Sequence, residues 1–175
     1  MDNESLIKKL LDNLPQQGTV TWLGVRPQRL SPLHSLTEVQ AITDQKLEGD
    51  HYTGKKGSKR QVTLIQMEHL TVVKHILQLD KLLPEQLRRN IAVSGINLVS
   101  LKDRLFSVGE VILQGTGECA PCSRMEEVLG SGGYNAMRGH GGITARIIKG
   151  GNIKVGDNVS LLLQSNIDPV TAPGQ

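Results

Sequence analysis

Apolar residues recur at intervals of three and four near the N-terminus, and the pattern ends at Pro15. Its members are Leu6, Ile7, Leu10, Leu11 and Leu14. This spacing is typical of an amphipathic α-helix, which a proline does not continue. The sequence therefore predicts a separate helical unit over residues 1–17. Because exposing an apolar helix face to water is unfavourable, we expect this helix to dock on the body of the protein. Binding of the same face to a partner is the alternative.

From Gly18 onward the pattern changes to short apolar runs bounded by glycine and polar turn residues, which indicates β-strands. The predicted strands are 19–25, 38–43, 61–66, 91–93, 104–106, 110–114, 143–148 and 159–163. The sequence 150–152 predicts a turn. One helix is expected around residues 70–77, a second from Pro84 to Asn90, and a third after Ser123.

With strands outnumbering helices by roughly seven to three, the expected fold class is mainly β with helical insertions (α+β), built on a β-barrel-like core. At 175 residues the chain is long enough for one such domain, placed at 18–164, with a polar tail at 165–175. The 19 glycines agree with many turns, and the core must be aliphatic because the chain has only two Tyr, one Phe and one Trp.

Charge and composition exclude several classes of protein. A net charge of +3 with so few aromatic residues argues against nucleic-acid binding. No apolar run approaches the ~20 residues that cross a bilayer, and the acidic N-terminus does not resemble a secretory signal. Two cysteines do not make a disulfide scaffold, so we expect a cytoplasmic protein without membrane contact.

The stretch from Gly117 to Gly142 concentrates the candidate chemistry, since it holds both cysteines, Cys119 and Cys122. They follow a predicted strand and precede a predicted helix, where Ser123 and Glu126 have the spacing of a capping box. Residues on the inner face of this helix are expected to be Met125, Val128 and Leu129. A helix start and the neighbouring Arg124 both favour the thiolate form of Cys122.

A thiolate in this position can ligate a soft metal centre, exchange disulfides or attack a substrate, and a free cysteine can also be a buried apolar residue without chemistry. Thioredoxins place a CxxC motif at a similar junction, but the remaining chain here is glycine-rich and strand-like. Zinc is disfavoured because two cysteines provide half of a structural site.

Three arginine-containing segments are the other candidates. In the run from Arg138 to Gly142, glycines allow close approach to a ligand and the guanidinium can bind phosphate or carboxylate; a tight turn with a solvated arginine is the alternative. Arg60 ends a basic loop and adjoins a strand, so it is expected to point inward. Arg89 and Asn90 close a predicted helix, where cations are favourable without any function.

Taken in order, several segments resemble the MOSC domain, named for the C-terminal domain of molybdenum-cofactor sulfurases. The matching segments are LEGDH (47–51), GSKRQVTLI (57–65), LRRN (87–90), SGINL (94–98), Pro121-Cys122 and KVGD (154–157). The likeness covers about residues 18–163, and the form ECAPCSRMEE…GYNAMRGHGG is similar to small, stand-alone members.

The resemblance implies a barrel-like fold that binds the molybdenum cofactor, with the thiolate of Cys122 as the metal ligand. The residues expected to hold the cofactor are Arg60, Arg89, Asn90, Arg124, Arg138 and Gly141. It also implies reduction of N-hydroxylated compounds such as hydroxylaminopurines, with electrons from a separate flavin or iron–sulfur reductase. His140 is the expected proton donor, with Asp50 as the alternative.

Two other functions remain open. The protein can be a non-catalytic carrier of the cofactor or of sulfur, holding a persulfide on Cys122. It can also be a thiol redox protein that uses both cysteines, and Cys119 is an alternative metal ligand.

Overall fold

The computed structural model describes residues 5–52 and 55–163, so the predicted tail lies outside the described residues. The strands, in chain order, are β1 (Gly18–Val25), β2 (His34–Leu36), β3 (Glu38–Ala41), β4 (Val62–Gln66), β5 (Ile91–Ser94), β6 (Leu105–Val108), β7 (Val111–Glu118), β8 (Ile143–Lys149), β9 (Gly151–Lys154) and β10 (Asn158–Leu161). The helices are α1 (Leu6–Asp12), α2 (Met67–Ile76), α3 (Arg124–Leu129) and α4 (Gly133–Met137), with 3-10 turns at Pro84–Leu87 and Leu98–Leu101.

Seven of these strands close into a barrel in the order β1-β10-β6-β7-β8-β4-β5, with β5 returning to β1. Neighbouring strands are antiparallel except β4 and β5, which are parallel and are connected through α2. Strand β2 extends the sheet beyond β1, and β3 pairs with β9 in a separate two-stranded ribbon. Closure leaves few free strand edges, and the mainly β, barrel-type fold class is confirmed.

The core lies in two places because strand residues alternate between the two faces of the sheet. Leu64 points into the barrel, where it packs with Phe106, Leu113 and further aliphatic residues; these three side chains are fully buried. Its neighbour Ile65 points outward into a second apolar cluster, which covers one side of the barrel. That cluster also contains Leu70, Val73, Leu87, Ala92, Met125, Leu129, Ala136 and Met137. Outside this side of the barrel lie α2, α3, α4 and the loops 119–123 and 138–142. We call these elements together the outer layer.

The structure departs from the sequence-based expectations in three elements. The predicted turn at 150–152 starts strand β9, because Gly151 pairs with Ala41. The helix expected from Pro84 to Asn90 is a single 3-10 turn, after which Arg88 adopts a left-handed conformation with φ of 60°. Helix α4 was not predicted, since its sequence between glycines is typical of a loop.

Helix α1 exists as predicted, but its apolar face is not covered. The side chains of Leu6 and Ile7 are 71% and 67% exposed, so the expected docking through this face is wrong for the described residues. The helix is held at its C-terminal end, where the Arg104 guanidinium contacts the Asp12 carboxylate and donates to the Leu11 carbonyl oxygen at 3.3 Å. No helix within residues 5–52 and 55–163 is long and apolar enough to cross a membrane.

Candidate functional site

The two candidate segments from the sequence lie side by side because β7 and β8 are paired. Glu118 at the end of β7 is opposite Ile143 at the start of β8. Beyond the strands, the Cys119 amide donates to the Gly142 carbonyl oxygen at 2.8 Å. A pocket of about 490 Å³ opens between the two loops. Its lining residues are Val99, Glu118, Cys119, Ala120, Pro121, Tyr134, Arg138, Gly139, Gly141 and Gly142.

Two of the lining glycines are required by how closely the backbones approach. A Cβ atom on Gly141 would lie 2.0 Å from the Cys119 carbonyl oxygen. Gly142 has φ of 82°, and a Cβ atom there would lie 1.8 Å from the Leu64 carbonyl oxygen. Any side chain at either position would therefore separate the glycine loop from β4 or from the cysteine loop.

Arg89 is the buried centre of this arrangement, with only 4% of its surface exposed. Its Nε donates to the Gly141 carbonyl oxygen at 2.8 Å, Nη1 to that of Leu87 at 2.9 Å and Nη2 to that of Cys119 at 3.3 Å. Burial holds the pKa of Arg89 below its ordinary value, and nearby sulfur charge opposes that effect. The guanidinium stays charged and ties the loops 119–123 and 138–142 to the 3-10 turn that ends at Leu87.

The two cysteines differ in environment. Cys119 is buried and lines the pocket, whereas Cys122 is exposed just before α3. Arg88 and Arg124 lie near Cys122: burial and then the positive charge of Arg124 lower the pKa of Arg88, while an ionised Cys122 raises it. The structure thus places two arginines and a thiol together at the surface.

Of the other predicted site residues, Arg138 and Gly141 line the pocket, and Arg124 is half-buried as the first residue of α3. Arg60 is exposed, so the expectation that it points inward is wrong. Asn90 accepts from the Thr63 amide at 3.2 Å and donates from Nδ2 to the Gly24 carbonyl oxygen at 3.2 Å, which connects β4 to β1.

The two candidate proton donors do not line the pocket. The Nδ1 of His140 lies 3.0 Å from the Ala136 carbonyl oxygen, and its ring packs against His69. Asp50 is buried and accepts from the Arg26 amide at 2.9 Å. Burial raises the pKa of Asp50.

Helix α3 is capped differently from the prediction. The Ser123 side chain makes no capping hydrogen bond, and the Glu126 carboxylate turns forward to accept from the amides of Gly132 at 2.8 Å and Tyr134 at 2.9 Å. These two bonds lower the pKa of Glu126 and fix the turn between α3 and α4. Met125 and Leu129 are buried as predicted, but Val128 is exposed.

Four site residues were missed by the sequence analysis. Arg88 was not singled out because a cation at the end of a predicted helix is favourable without any function. Glu118, Val99 and Tyr134 reach the pocket from β7, a 3-10 turn and α4. For Tyr134 a signal existed, since an aromatic residue between two glycine-rich segments is notable in a chain with two tyrosines.

Comparison with known proteins agrees with this architecture. The structure superposes on the YUAD protein from Bacillus subtilis with a TM-score of 0.73 and 19% identity, covering 85% of this chain and 97% of that one. For YiiM from Escherichia coli the TM-score is 0.64 with 17% identity, covering 83% of this chain and 70% of that one. For YiiM from Geobacillus stearothermophilus it is 0.68 with 14% identity, covering 84% and 76%.

At these identities the superpositions show a shared fold. A search of curated proteins finds no match. A family model described as the MOSC domain matches residues 49–160, which is more than half of the chain and includes the pocket loops. This chain belongs to the MOSC domain family.

Proposed function

We propose that the pocket and the adjoining thiol bind the molybdenum cofactor, and that the protein reduces N-hydroxylated compounds with electrons from a separate flavin or iron–sulfur reductase. The observation that carries the proposal is the grouping of a thiol with arginines in and beside the loop 119–123, which lines one wall of the pocket through Cys119, Ala120 and Pro121. Arg88 and Arg124 lie near Cys122, and Arg89 lies behind Cys119.

This grouping fits the cofactor by the chemistry of its donors. Among the described residues no group of three or more His, Cys, Asp and Glu side chains could hold a metal by itself. A single thiolate next to cations instead suits a soft, sulfur-ligated centre that arrives with an anionic organic ligand. When bound, the cofactor supplies two-electron redox chemistry that, with two protons, converts an N–OH group into N–H and water.

The residues of this chain have separable tasks in the proposal. The thiolate of Cys122, or of Cys119 as the alternative, is the protein ligand to the metal. Arg88 and Arg124 make no side-chain hydrogen bond or ion pair within the described part of the chain and can bind a phosphate group. The guanidinium of Arg89 instead donates to backbone carbonyls and acts by holding the loops. Arg138 lines the pocket, and its guanidinium can pair with an anionic edge of the cofactor.

The pocket walls suit a small organic substrate. Val99, Pro121 and Tyr134 provide apolar and aromatic surface, and the Glu118 carboxylate provides a hydrogen-bond acceptor. Such a mixture of apolar lining and few polar groups is typical of small-molecule sites.

A non-catalytic carrier of the cofactor or of sulfur is the second candidate. It is favoured by the exposure of Cys122, which is not part of the pocket lining. A sulfur atom held there as a persulfide is accessible to an acceptor protein.

The test is metal analysis of the full chain produced in a host that makes the cofactor. We expect about one molybdenum per chain, lost in Cys122→Ser and reduced in an Arg88→Gln/Arg124→Gln double variant. Arg29→Gln, which changes an exposed arginine elsewhere, is the matched control and should retain the metal. Loss in Cys119→Ser alone would transfer the ligand role to Cys119.

Turnover then separates enzyme from carrier. The loaded protein, with a chemically reduced electron donor, should convert a hydroxylaminopurine to the amine. Molybdenum binding without turnover would favour the carrier. Absence of molybdenum together with reversible oxidation of both cysteines would favour a thiol redox protein.

A further inference from the structure

Two histidines from separate elements pack against each other behind the pocket. His69 is the third residue of α2, and His140 lies in the loop after α4. Their ring centroids are 5.2 Å apart with planes at 79°, an edge-to-face arrangement. This contact joins the side chains of α2 and the loop 138–142, and it does not depend on the function proposed above.

The hydrogen bonds define which nitrogens carry protons. A carbonyl oxygen only accepts, so the 3.0 Å contact with Ala136 requires a proton on Nδ1 of His140. The Nδ1 atom of His69 is buried and has no hydrogen-bond partner in the described part of the chain. A proton added there would place a charged N–H donor in a site without an acceptor, which is unfavourable.

The influences on the pKa of His69 oppose one another, and the two that lower it are the larger. Burial, and then the nearby His140, lower the pKa of His69, while Glu68 and the backbone of His140 raise it to a smaller extent. Its place in the first turn of α2 also disfavours positive charge, because the helix dipole is positive there. His69 is therefore neutral in the packed arrangement at neutral pH.

The loop held by this contact forms one wall of the pocket. Arg138, Gly139, Gly141 and Gly142 line the pocket on both sides of His140 in sequence, while the imidazole itself faces α2. The Gly142 carbonyl oxygen accepts from the Cys119 amide, and Gly141 accepts from Arg89. Displacing His140 would thus loosen the pocket wall and the backbone of Cys119 together.

We propose that His69 is a positioning residue for the site, and that the His69–His140 contact is a latch that holds the loop 138–142 closed when His69 is neutral and releases it when His69 is protonated. In an open state the His69 ring is solvated and regains an ordinary pKa near 6.5. The closed state binds the proton more weakly, so opening becomes easier as the pH falls below about 6.5. Each unit by which the closed-state pKa is lowered can increase the opening constant by about tenfold.

The latch is tested by amide hydrogen exchange and NMR on the full chain, with rates corrected for the intrinsic effect of pH. We expect the protection of the Cys119 amide to fall about tenfold between pH 7.5 and pH 5. The amide signals of Gly139, Gly141 and Gly142 should shift with the same midpoint as the His69 ring.

His69→Phe retains an aromatic edge without a titratable group, so its Cys119 amide should keep its protection at pH 5. His75→Gln changes an exposed histidine on the same helix and should behave as wild type. His140→Phe keeps an aromatic edge and leaves His69 titratable, so its Cys119 amide should still lose protection at pH 5. Equal loss of protection in His69→Phe and wild type, or no loss in wild type, would overturn the proposal.

Discussion

The barrel and the outer layer differ in the interactions that stabilise each of them. In the barrel, strands are hydrogen-bonded around a closed circle, and the interior is filled by aliphatic side chains and Phe106. In the outer layer, short helices and loops pack on a smaller apolar cluster and are also held by single polar side chains that bind backbone groups. Arg89 joins three carbonyls, and Glu126 joins two amides.

This difference separates stability from the site. Apolar packing is distributed over many contacts, so a change in the barrel affects the unfolding free energy first. A polar clamp concentrates several hydrogen bonds in one side chain, so its loss changes the geometry of the loops that it holds. Three experiments examine this contrast, beginning with the largest expected effect.

Phe106→Ala is expected to cost about 3–5 kcal/mol of unfolding free energy, because it opens a cavity in the barrel at a side chain with no exposed surface. Chemical denaturation measures the loss. The reactivity of Cys119 toward a thiol reagent under native conditions should change little. Large exposure of Cys119 would show that barrel and outer layer are not separable.

Arg89→Met is expected to cost about 2–4 kcal/mol, because three buried carbonyl oxygens lose a charged donor. Here Cys119 should become accessible to the same reagent even where the protein remains folded. Arg89→Lys should rescue little, since an ammonium group does not reproduce the planar fork. Native-like protection of Cys119 in Arg89→Met would contradict the role of the clamp.

Acid should loosen the outer layer before the barrel. Both Glu126 and Asp44 have a lowered pKa, Glu126 through the Tyr134 and Gly132 amides and Asp44 through Arg146, Gln61 and the Gly57 amide. Each contributes stability that is present above its unfolded pKa and is lost as the pH falls through the folded value. The pKa of Asp44 lies further below its ordinary value of 3.8 than the pKa of Glu126 lies below its own ordinary value. The contribution of Asp44 to stability therefore persists to lower pH.

Exchange of the Gly132 and Tyr134 amides, followed from pH 6 to pH 3, measures this order. Glu126→Gln should remove the acid-dependent loss in those amides, whereas Asp44→Asn should leave it unchanged. If the Gly57 amide, which Asp44 accepts from, lost its protection at the same pH as the Gly132 and Tyr134 amides, the two regions would not be stabilised separately.

Much of the barrel could be predicted because each strand carries its own signal. The run from Thr19 to Val25 has strand-forming residues between turn residues, and the structure places a strand there. Gly151 was assigned to a turn because pairing with Ala41 joins distant parts of the chain. The predicted capping box of Ser123 and Glu126 does not form, because the Glu126 carboxylate accepts instead from the amides of Gly132 and Tyr134.

By itself, the sequence determined the strand-rich barrel and the family, and it predicted the stretch from Gly117 to Gly142 as the candidate site, because hydrophobic period and motif spacing are local properties. Only the tertiary structure decided that Cys119 is buried in the pocket wall while Cys122 is exposed, that Arg89 is a clamp, and that His140 faces His69. Those outcomes depend on which backbone groups and side chains from distant segments compete for the same buried space, and no local pattern records that competition.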